Sequence, residues 1–322
     1  REDMKKEIDE NLKDEIKKLQ DECFFEETNI IYKNINYVSK KPIAAGSIAN
    51  VYLIKLDQEI KILKSTHPSF KKKLVESCEN LKVFLKLLKI FTKYDFLNFI
   101  NIDNYYTYLL NQSLLSNEAI NQMIFYNIFK DKENFKIPNV FAFNNDSIIM
   151  EYTPGLKLDE FRLKYPNFEY EAIALIYCSI IHMARNKIIH GDFHYGNFLF
   201  NLKINQPILI ILDFGIICKL NSEQSEFLIN VLNPKSKQEK RDSNLNKFII
   251  SYDKNIDYDK IINRDSSDIL KFLSDNKIVI PNEVISFIST LQTLFCHVKQ
   301  IKRKDKLFDK FLSGYILEND YF

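Results

Sequence analysis

From Tyr37 onward, apolar and polar residues alternate with the two-residue period of half-buried strands over Tyr37 to Ile43, Val51 to Leu56 and Glu59 to Leu63. Ala44 to Ser47 and Asp57-Gln58 are the only connections, so the sheet starts antiparallel. Upstream, Met4, Ile8, Leu12, Ile16 and Leu19 fall on one stripe of an N-terminal helix whose charged face reads as solvated. His67-Pro68 ends the strand pattern, and helical spacing then runs over Phe70 to Phe91, Phe96 to Asn111 and Leu114 to Phe129. Past Pro138, Val140 to Phe143 and Ser147 to Tyr152 predict a hairpin around Asn144-Asn145-Asp146. Pro154-Gly155 reads as a hinge, and beyond it helical patterns dominate apart from short strands around Phe198 and Ile210. Pro234 to Ser267, rich in Lys, Asn, Ser and Asp, is expected to be an exposed loop with a short helix near Phe248. The pattern predicts an α+β chain in three parts: a helical extension over 1–36, a small antiparallel-sheet lobe with extra helices over 37–153, and a mostly helical lobe over 154–322.

The run I-I-H-G-D-F-H-Y-G-N-F-L-F from Ile188 to Phe200, with I-L-D-F-G ending at Gly215, gives those two lobes a chemistry. Phosphoryl transfer needs a carboxylate near the acceptor, oxygen ligands for magnesium, and little covalent chemistry from the protein. Asp192 is the candidate catalytic acid, and Asn197 and Asp213 are the candidate metal ligands. Five residues separate Asp192 from Asn197, so one loop can present both, while an apolar strand from Ile208 to Leu212 delivers Asp213. The expected fold is therefore bilobal and protein-kinase-like. In the small lobe, Lys64 closes the third strand where such a fold places its phosphate-gripping lysine, and Glu118 is positioned to pair with it. Ala44, Ala45, Gly46 and Ser47 fit a turn that covers phosphates with backbone N–H groups, and equally a tight hairpin. Main chain near Glu151 and Tyr152 would bond the adenine, with Met150 either lining that pocket or filling core.

Composition narrows the partners. Forty-five basic against 43 acidic residues give a formal charge of +2, which supplies no global field for nucleic acid, and 46% apolar residues suffice for a large core. Cys23, Cys78, Cys178, Cys218 and Cys296 are odd in number and lack metal spacing, so they read as reduced thiols in an intracellular compartment. The most apolar helical stretch, Glu171 to Met183, is too short to span a bilayer, and no signal peptide precedes it. The chain opens on Arg1, which is read as a processed or trimmed start. His190 is expected to brace the catalytic loop from within, and His194 to play a structural part, since it lacks the neighbours of a general base.

Several segments resemble the UbiB/AarF atypical kinase-like family over nearly the whole chain. L-Q-D-E-C-F-F-E-E from Leu19 is similar to its L-Q-D segment, P-I-A-A-G-S-I-A-N-V-Y from Pro42 to its alanine-rich loop, and Glu118-Ala119-Ile120-Asn121 to its E-A-x-N helix. M-E-Y-T-P-G resembles its hinge, while L-N-S-E-Q from Leu220 and a helix over Asn282 to Gln300 resemble its C-terminal part. The resemblance implies the same roles for Lys64, Glu118, Asp192, Asn197 and Asp213, with ATP or ADP and magnesium as cofactors. It also implies quinone or other isoprenoid lipid metabolism, a small-molecule or lipid-linked acceptor, and peripheral contact with a membrane. The family's K-x-G-Q helix, which would precede Arg1, is not in this sequence, and its E-x-D element reads Gln112-Ser113-Leu114. Gly46 enters the alanine-rich loop, and Tyr195 replaces a usual proline as a change expected to sit on the loop surface. Gly191 stands where protein kinases carry an arginine, and no A-P-E follows Asp213, which disfavours peptide substrates. Two other functions fit the same run: an aminoglycoside- or choline-kinase-like phosphotransferase, for which Asp253 to Asp268 are too interleaved with Lys254, Lys260 and Arg264, and a nucleotide-binding scaffold without useful catalysis.

Overall fold

The computed structural model describes residues 35–46, 48–56, 58–67, 70–91, 110, 113–233, 243–244, 247–248, 291 and 308–318. The N-terminal helix, all but Leu110 of the helix over Phe96 to Asn111, Ser47, Gln112, most of the stretch from Pro234 to Ser267 and all but Leu291 of the helix over Asn282 to Gln300 lie outside them. The chain divides into two compact units, one running through Ile124 with Pro138–Thr153, the other comprising Phe125–Ile137 and the chain from Pro154. A single cut at 153 did not anticipate the exchange of Phe125–Ile137. Its cause is burial: Phe125, Phe129, Phe135 and Ile137 join the core of the second unit.

The first unit is built on an antiparallel sheet. Its strands are β1 (Ile35–Val38), β2 (Ala44–Ala45), β3 (Ala49–Leu56), β4 (Glu59–Thr66), β6 (Val140–Phe143) and β7 (Ser147–Glu151), in the order β1-β3-β4-β7-β6 with β2 on β3. Alternation along β3 and β4 buries Tyr52, Ile54, Leu56 and Leu63 on one face and Ala49 and Ile62 on the other. Ile148 and Met150 extend that second face, against Leu115 and Ala119 of helix α2 (Leu115–Phe129). The helix α1 (Phe70–Phe91) precedes α2 with the bounds its periodicity predicts. Strand β1 stops at Val38, earlier than expected, because Ser39 turns the chain by bonding Leu53 and Pro42 has no N–H for a ladder. Strand β4 runs on past Leu63 to Thr66 and leaves Lys64 inside a strand. The β6–β7 turn is an Asx turn, with Asn144 Oδ1 accepting from the N–H groups of Asp146 (2.9 Å) and Ser147 (2.8 Å).

The second unit is organised around helix α4 (Glu169–Arg185), in which twelve residues are buried. Acidic Glu169 and Glu171 open it and Arg185 closes it, as the helix dipole favours. Helix α3 (Leu158–Lys164) and the short turn Pro166–Phe168 precede it. A three-stranded sheet sets β5 (Phe135–Lys136) parallel to β10 (Gln206–Ile211) and β10 antiparallel to β9 (Phe198–Lys203), while β8 (Ile188–His190) pairs with β11 (Ile217–Lys219). Helix α5 (Ser222–Leu232) starts in a capping box: Asn221 Oδ1 accepts the Gln224 N–H at 2.8 Å and Gln224 Oε1 accepts the Asn221 N–H at 2.9 Å. That reciprocity is the physical content of the L-N-S-E-Q segment. Helix α6 (Phe308–Glu318) closes the core with Phe308, Leu312 and Ile316. Cys78, Cys178 and Cys218 are buried free thiols, and no described helix is long and apolar enough to cross a membrane.

His190 sits at the centre of this core, fully buried among Phe125, Phe193 and Phe214. Burial pushes its imidazole below the usual range, against the pull of the Leu212 carbonyl and the nearby carboxylates, and His182 shifts the same way for the same leading cause. A neutral folded ring and an unfolded ring that protonates near pH 6.5 place the loss of stability below that pH. We expect the melting temperature to fall as pH drops from about 7.5 to about 5, and to fall less steeply in His190→Gln. A wild-type melting temperature that stays flat over that interval would contradict the assignment.

The β9–β10 hairpin carries a second testable strain. Ile204 and Asn205 form its two-residue loop with φ of 51° and 60°, and Ile204 is 89% exposed. A β-branched residue in the left-handed region costs about 1–2 kcal/mol, and here no burial offsets it. Ile204→Asn should therefore stabilise the chain by roughly 1 kcal/mol in denaturant unfolding; a loss of stability would show that the isoleucine makes contacts the hairpin geometry does not require.

Candidate active site

In the first unit, Lys64 lies on β4 opposite Ile148 of β7, and Glu118 lies in the first turn of α2. The lysine Nζ donates to both Glu118 oxygens at 2.7 Å, with the two side chains 13% and 4% exposed. This is the pairing expected from sequence. An ion pair so removed from water is kept only with good geometry, and the bidentate arrangement supplies it. Ala44 and Ala45 pair with Val51 and Asn50, and the turn closes with Gly46 N–H donating to Ala49 O at 2.9 Å. The segment is thus a tight hairpin in which both alanines are exposed. A Cβ on Gly46 would meet only Ala49 O, at 3.6 Å, so the glycine is not demanded by local packing. His67, read from sequence only as part of a break, clamps this turn: its Nε2 meets Gly46 O at 2.8 Å and its N–H donates to Ile48 O at 2.9 Å.

Met150 is buried core, with Gln122 Nε2 at 3.6 Å from its sulfur. The Glu151 N–H donates to Asn139 O at 2.8 Å, and a Glu151 carboxylate oxygen accepts the Asn139 N–H at 3.2 Å. Sheet pairing therefore uses the Glu151 donor, while Tyr152 is exposed just beyond the strand.

In the second unit, β8 delivers the catalytic-loop run and β10 delivers Asp213. The ring of His190 joins them: its Nδ1 accepts the Asp192 N–H at 3.1 Å, which leaves the proton on Nε2 to be donated to Leu212 O at 3.1 Å. Asn197 Nδ2 donates to the Asp192 carbonyl at 2.8 Å and to its Oδ2 at 3.1 Å, so the amide oxygen Oδ1 faces away from Asp192. Leu212 N–H donates to Asn197 O at 2.8 Å and sets Asp213 beside Asn197. Asp213 is exposed and holds a φ of 60°, a strained value for aspartate that is common at functional positions. Asp192, Asn197 and Asp213 are thereby gathered in one place.

Three neighbours refine that picture. Gly196 N–H donates to His194 Nδ1 at 2.9 Å, and His194 Nε2 lies 3.4 Å from Asp192 Oδ2. The imidazole rests on the glycine, since a Cβ there would come 2.4 Å from His194 Cε1. His194 thus has the carboxylate neighbour that the sequence reading denied it. Tyr195 is not on the loop surface as expected: it is half-buried, and its ring meets Phe198 edge-on at 5.4 Å. An aromatic at this position reaches the core, which a proline could not. Lys157 was not anticipated at all; its Nζ donates to Gly196 O at 2.5 Å. The only signal in the sequence was a lysine two residues after Gly155.

The donor set suits a hard cation sharing its coordination with phosphate. Among the described residues no cluster of three or more His, Cys, Asp or Glu side chains could hold a metal unaided. Magnesium needs only one or two protein oxygens besides phosphate and water, which Asn197 Oδ1 and the Asp213 carboxylate can provide.

Comparison with known proteins places the chain in a family. A family model for the ABC1 atypical kinase-like domain matches residues 3–243. The protein named ACTIVITY OF BC1 COMPLEX KINASE 8, chloroplastic, from Arabidopsis thaliana, is 26% identical over 198 residues, covering 59% of this chain. The match spans about a quarter (26%) of that relative's length. Among solved structures, the complex of Rv3197 with erythromycin from Mycobacterium tuberculosis superposes with a TM-score of 0.51 at 16% identity, covering 81% of this chain and 68% of the other. That likeness concerns the fold. The antiparallel sheet with its helices, the catalytic-loop geometry and a family match over most of the sequence lead to one conclusion: the chain belongs to the ABC1 atypical kinase-like family.

Proposed function

We propose that this protein is a magnesium-dependent, ATP-binding phosphotransferase or ATPase whose acceptor is a small or lipid-linked molecule rather than a peptide. The observation that carries the reading is the hydrogen-bond set that ties Asn197 to Asp192 and, through His190 and Leu212, brings Asp213 into the same loop cluster. Lys64, held by Glu118, would grip the α and β phosphates, and the turn at Ala44, Ala45 and Gly46, with Ser47, would lie over them. Tyr152 main chain would serve the adenine, because the Glu151 N–H is engaged in the sheet. Asn197 and Asp213 would hold magnesium, which when bound neutralises charge on the phosphate oxygens. Asp192 orients the acceptor hydroxyl, or a water, and receives its proton. The reading includes the division into a small sheet lobe and a larger, mostly helical one.

The segment after Asp213 favours a small acceptor. From Gly215 the chain enters β11 and then the capped start of α5 at Ser222, so no long loop intervenes to dock a peptide. Gly191, buried, donates its N–H to Ile216 O at 2.9 Å in place of carrying a phosphate-sensing side chain. The family's link to quinone or isoprenoid lipids makes a membrane-borne acceptor the first choice, met through peripheral contact.

The test is Mg-ATP turnover by the purified protein, alone, with lipid vesicles, and with a panel of amino alcohols, aminoglycosides and erythromycin. We expect vesicle-stimulated turnover that a chelator abolishes and that Asp213→Asn lowers by about 100-fold or more. Turnover that depends on an amine acceptor would move the protein to the antibiotic- and choline-kinase type. Nucleotide binding without turnover in any arm would leave a scaffold and overturn the proposal.

A further inference from the structure

Lys157 lies outside the catalytic-loop run, yet its ammonium meets that loop. Its backbone is fixed on both sides. Leu156 exchanges two hydrogen bonds with Phe200 of β9, each 2.8 Å, and the Lys157 N–H donates to Glu160 Oε2 at 3.1 Å at the start of α3. Gly155 permits this seat, because a Cβ there would stand 2.7 Å from Leu199 Cβ and 2.9 Å from Ile210 Cδ1. The linker read as a hinge from sequence is thus pressed onto β9 and β10, and the lysine leaves it from a defined point.

The ammonium passes over the carboxylates nearest to it in sequence. Glu160 accepts the lysine's own N–H, and Asp159 lies 3.6 Å from Arg162. The Lys157 side chain goes instead to the Gly196 carbonyl. Loss of water around it lowers its pKa despite the opposing charge of Glu160, so the contact is made at the expense of hydration. A charge-assisted bond to a carbonyl is the compensation.

The Gly196 carbonyl belongs to the peptide that leads into Asn197. On its other side, the Gly196 N–H donates to His194 Nδ1, which makes Nδ1 the acceptor and places the ring proton on Nε2, facing Asp192 Oδ2. Asn197 N–H in turn donates to His194 O at 2.8 Å, and its side chain clasps Asp192. We propose that Lys157 is a positioning residue for the catalytic loop: seated on the Gly196 carbonyl, it fixes the glycine whose N–H orients His194 toward Asp192 and whose carbonyl leads into Asn197. The proposal rests on the phosphotransferase reading for its effect on rate, and on the hydrogen-bond chain alone for its effect on His194.

The experiment compares wild type, Lys157→Met and Lys157→Arg in Mg-ATP turnover, together with ¹⁵N spectra of the histidine rings, His194 being assigned by its loss in His194→Gln. Lys157→Met should lower kcat about tenfold, as a displaced catalytic group does, and leave the KM for ATP within about twofold. Lys157→Arg, which can donate to the same carbonyl, should recover most of the rate. In the spectra, His194 should be a single Nε2–H tautomer in wild type and Lys157→Arg and an average of two tautomers in Lys157→Met. An unchanged kcat in Lys157→Met, an effect confined to KM, an arginine variant as slow as the methionine one, or an unchanged tautomer would each overturn the proposal. If wild type turns over no ATP, the functional reading fails, while the tautomer comparison still decides the role of Lys157.

Discussion

The candidate site in the second unit is held in place by one buried imidazole. The two nitrogens of His190 bond the Asp192 N–H and the Leu212 carbonyl, the backbone groups next to the two carboxylates of the candidate site. A buried ring with both nitrogens satisfied adds no unpaired polar atom to the core, and each bond is worth more there than in water. The aromatic cage of Phe125, Phe193 and Phe214 keeps water out and makes the neutral ring the stable one. Core packing and the geometry of the candidate site are therefore one arrangement. Disturbing the cage would displace Asp192 and Asp213 together.

The first unit sets its own constraint on a different physical basis. Lys64 and Glu118 are held by charge where water is scarce, and removing one would strip the other of a bidentate ion pair at a site largely shielded from solvent. Such pairs seldom add stability over an apolar replacement. Retaining one just where β4 and the start of α2 meet makes sense if the ammonium has a second partner to serve. The helix start favours the carboxylate there, since the N-terminal dipole stabilises negative charge.

Much of this was readable in the sequence because it depends on short-range rules. The periodicity of Phe70 to Phe91, the Asx signal at Asn144 and the alternation in β3 and β4 reflect local chain chemistry. The spacing of Asp192, Asn197 and Asp213 was legible for the same reason, since one loop and one strand carry them. What escaped were contacts between distant segments and contacts made by backbone atoms. The transfer of Phe125–Ile137 to the second unit depends on which core accepts Phe125 and Phe129, and helix periodicity reads the same in either. His67 on Gly46 O and Lys157 on Gly196 O use carbonyls, which every residue has and no motif marks. Tyr195 reads as a change on the loop surface, whereas its ring meets Phe198.

Those backbone contacts share a logic that the motifs do not reveal. In the alanine-rich turn and in the catalytic loop alike, a long polar side chain from elsewhere in its own unit seats on a glycine carbonyl, Gly46 in one case and Gly196 in the other. A glycine brings a carbonyl within reach because nothing on its Cα blocks the approach. At Gly196 the absent Cβ also makes room for the His194 ring. With six glycines in the chain, two serve as such anchoring points within the segments assigned to phosphate chemistry. Loops that must present backbone N–H groups and carboxylates to a highly charged ligand cannot be rigidified by apolar packing from the ligand side. They are tied down from behind, by side chains that bond the main chain and leave the functional groups facing outward.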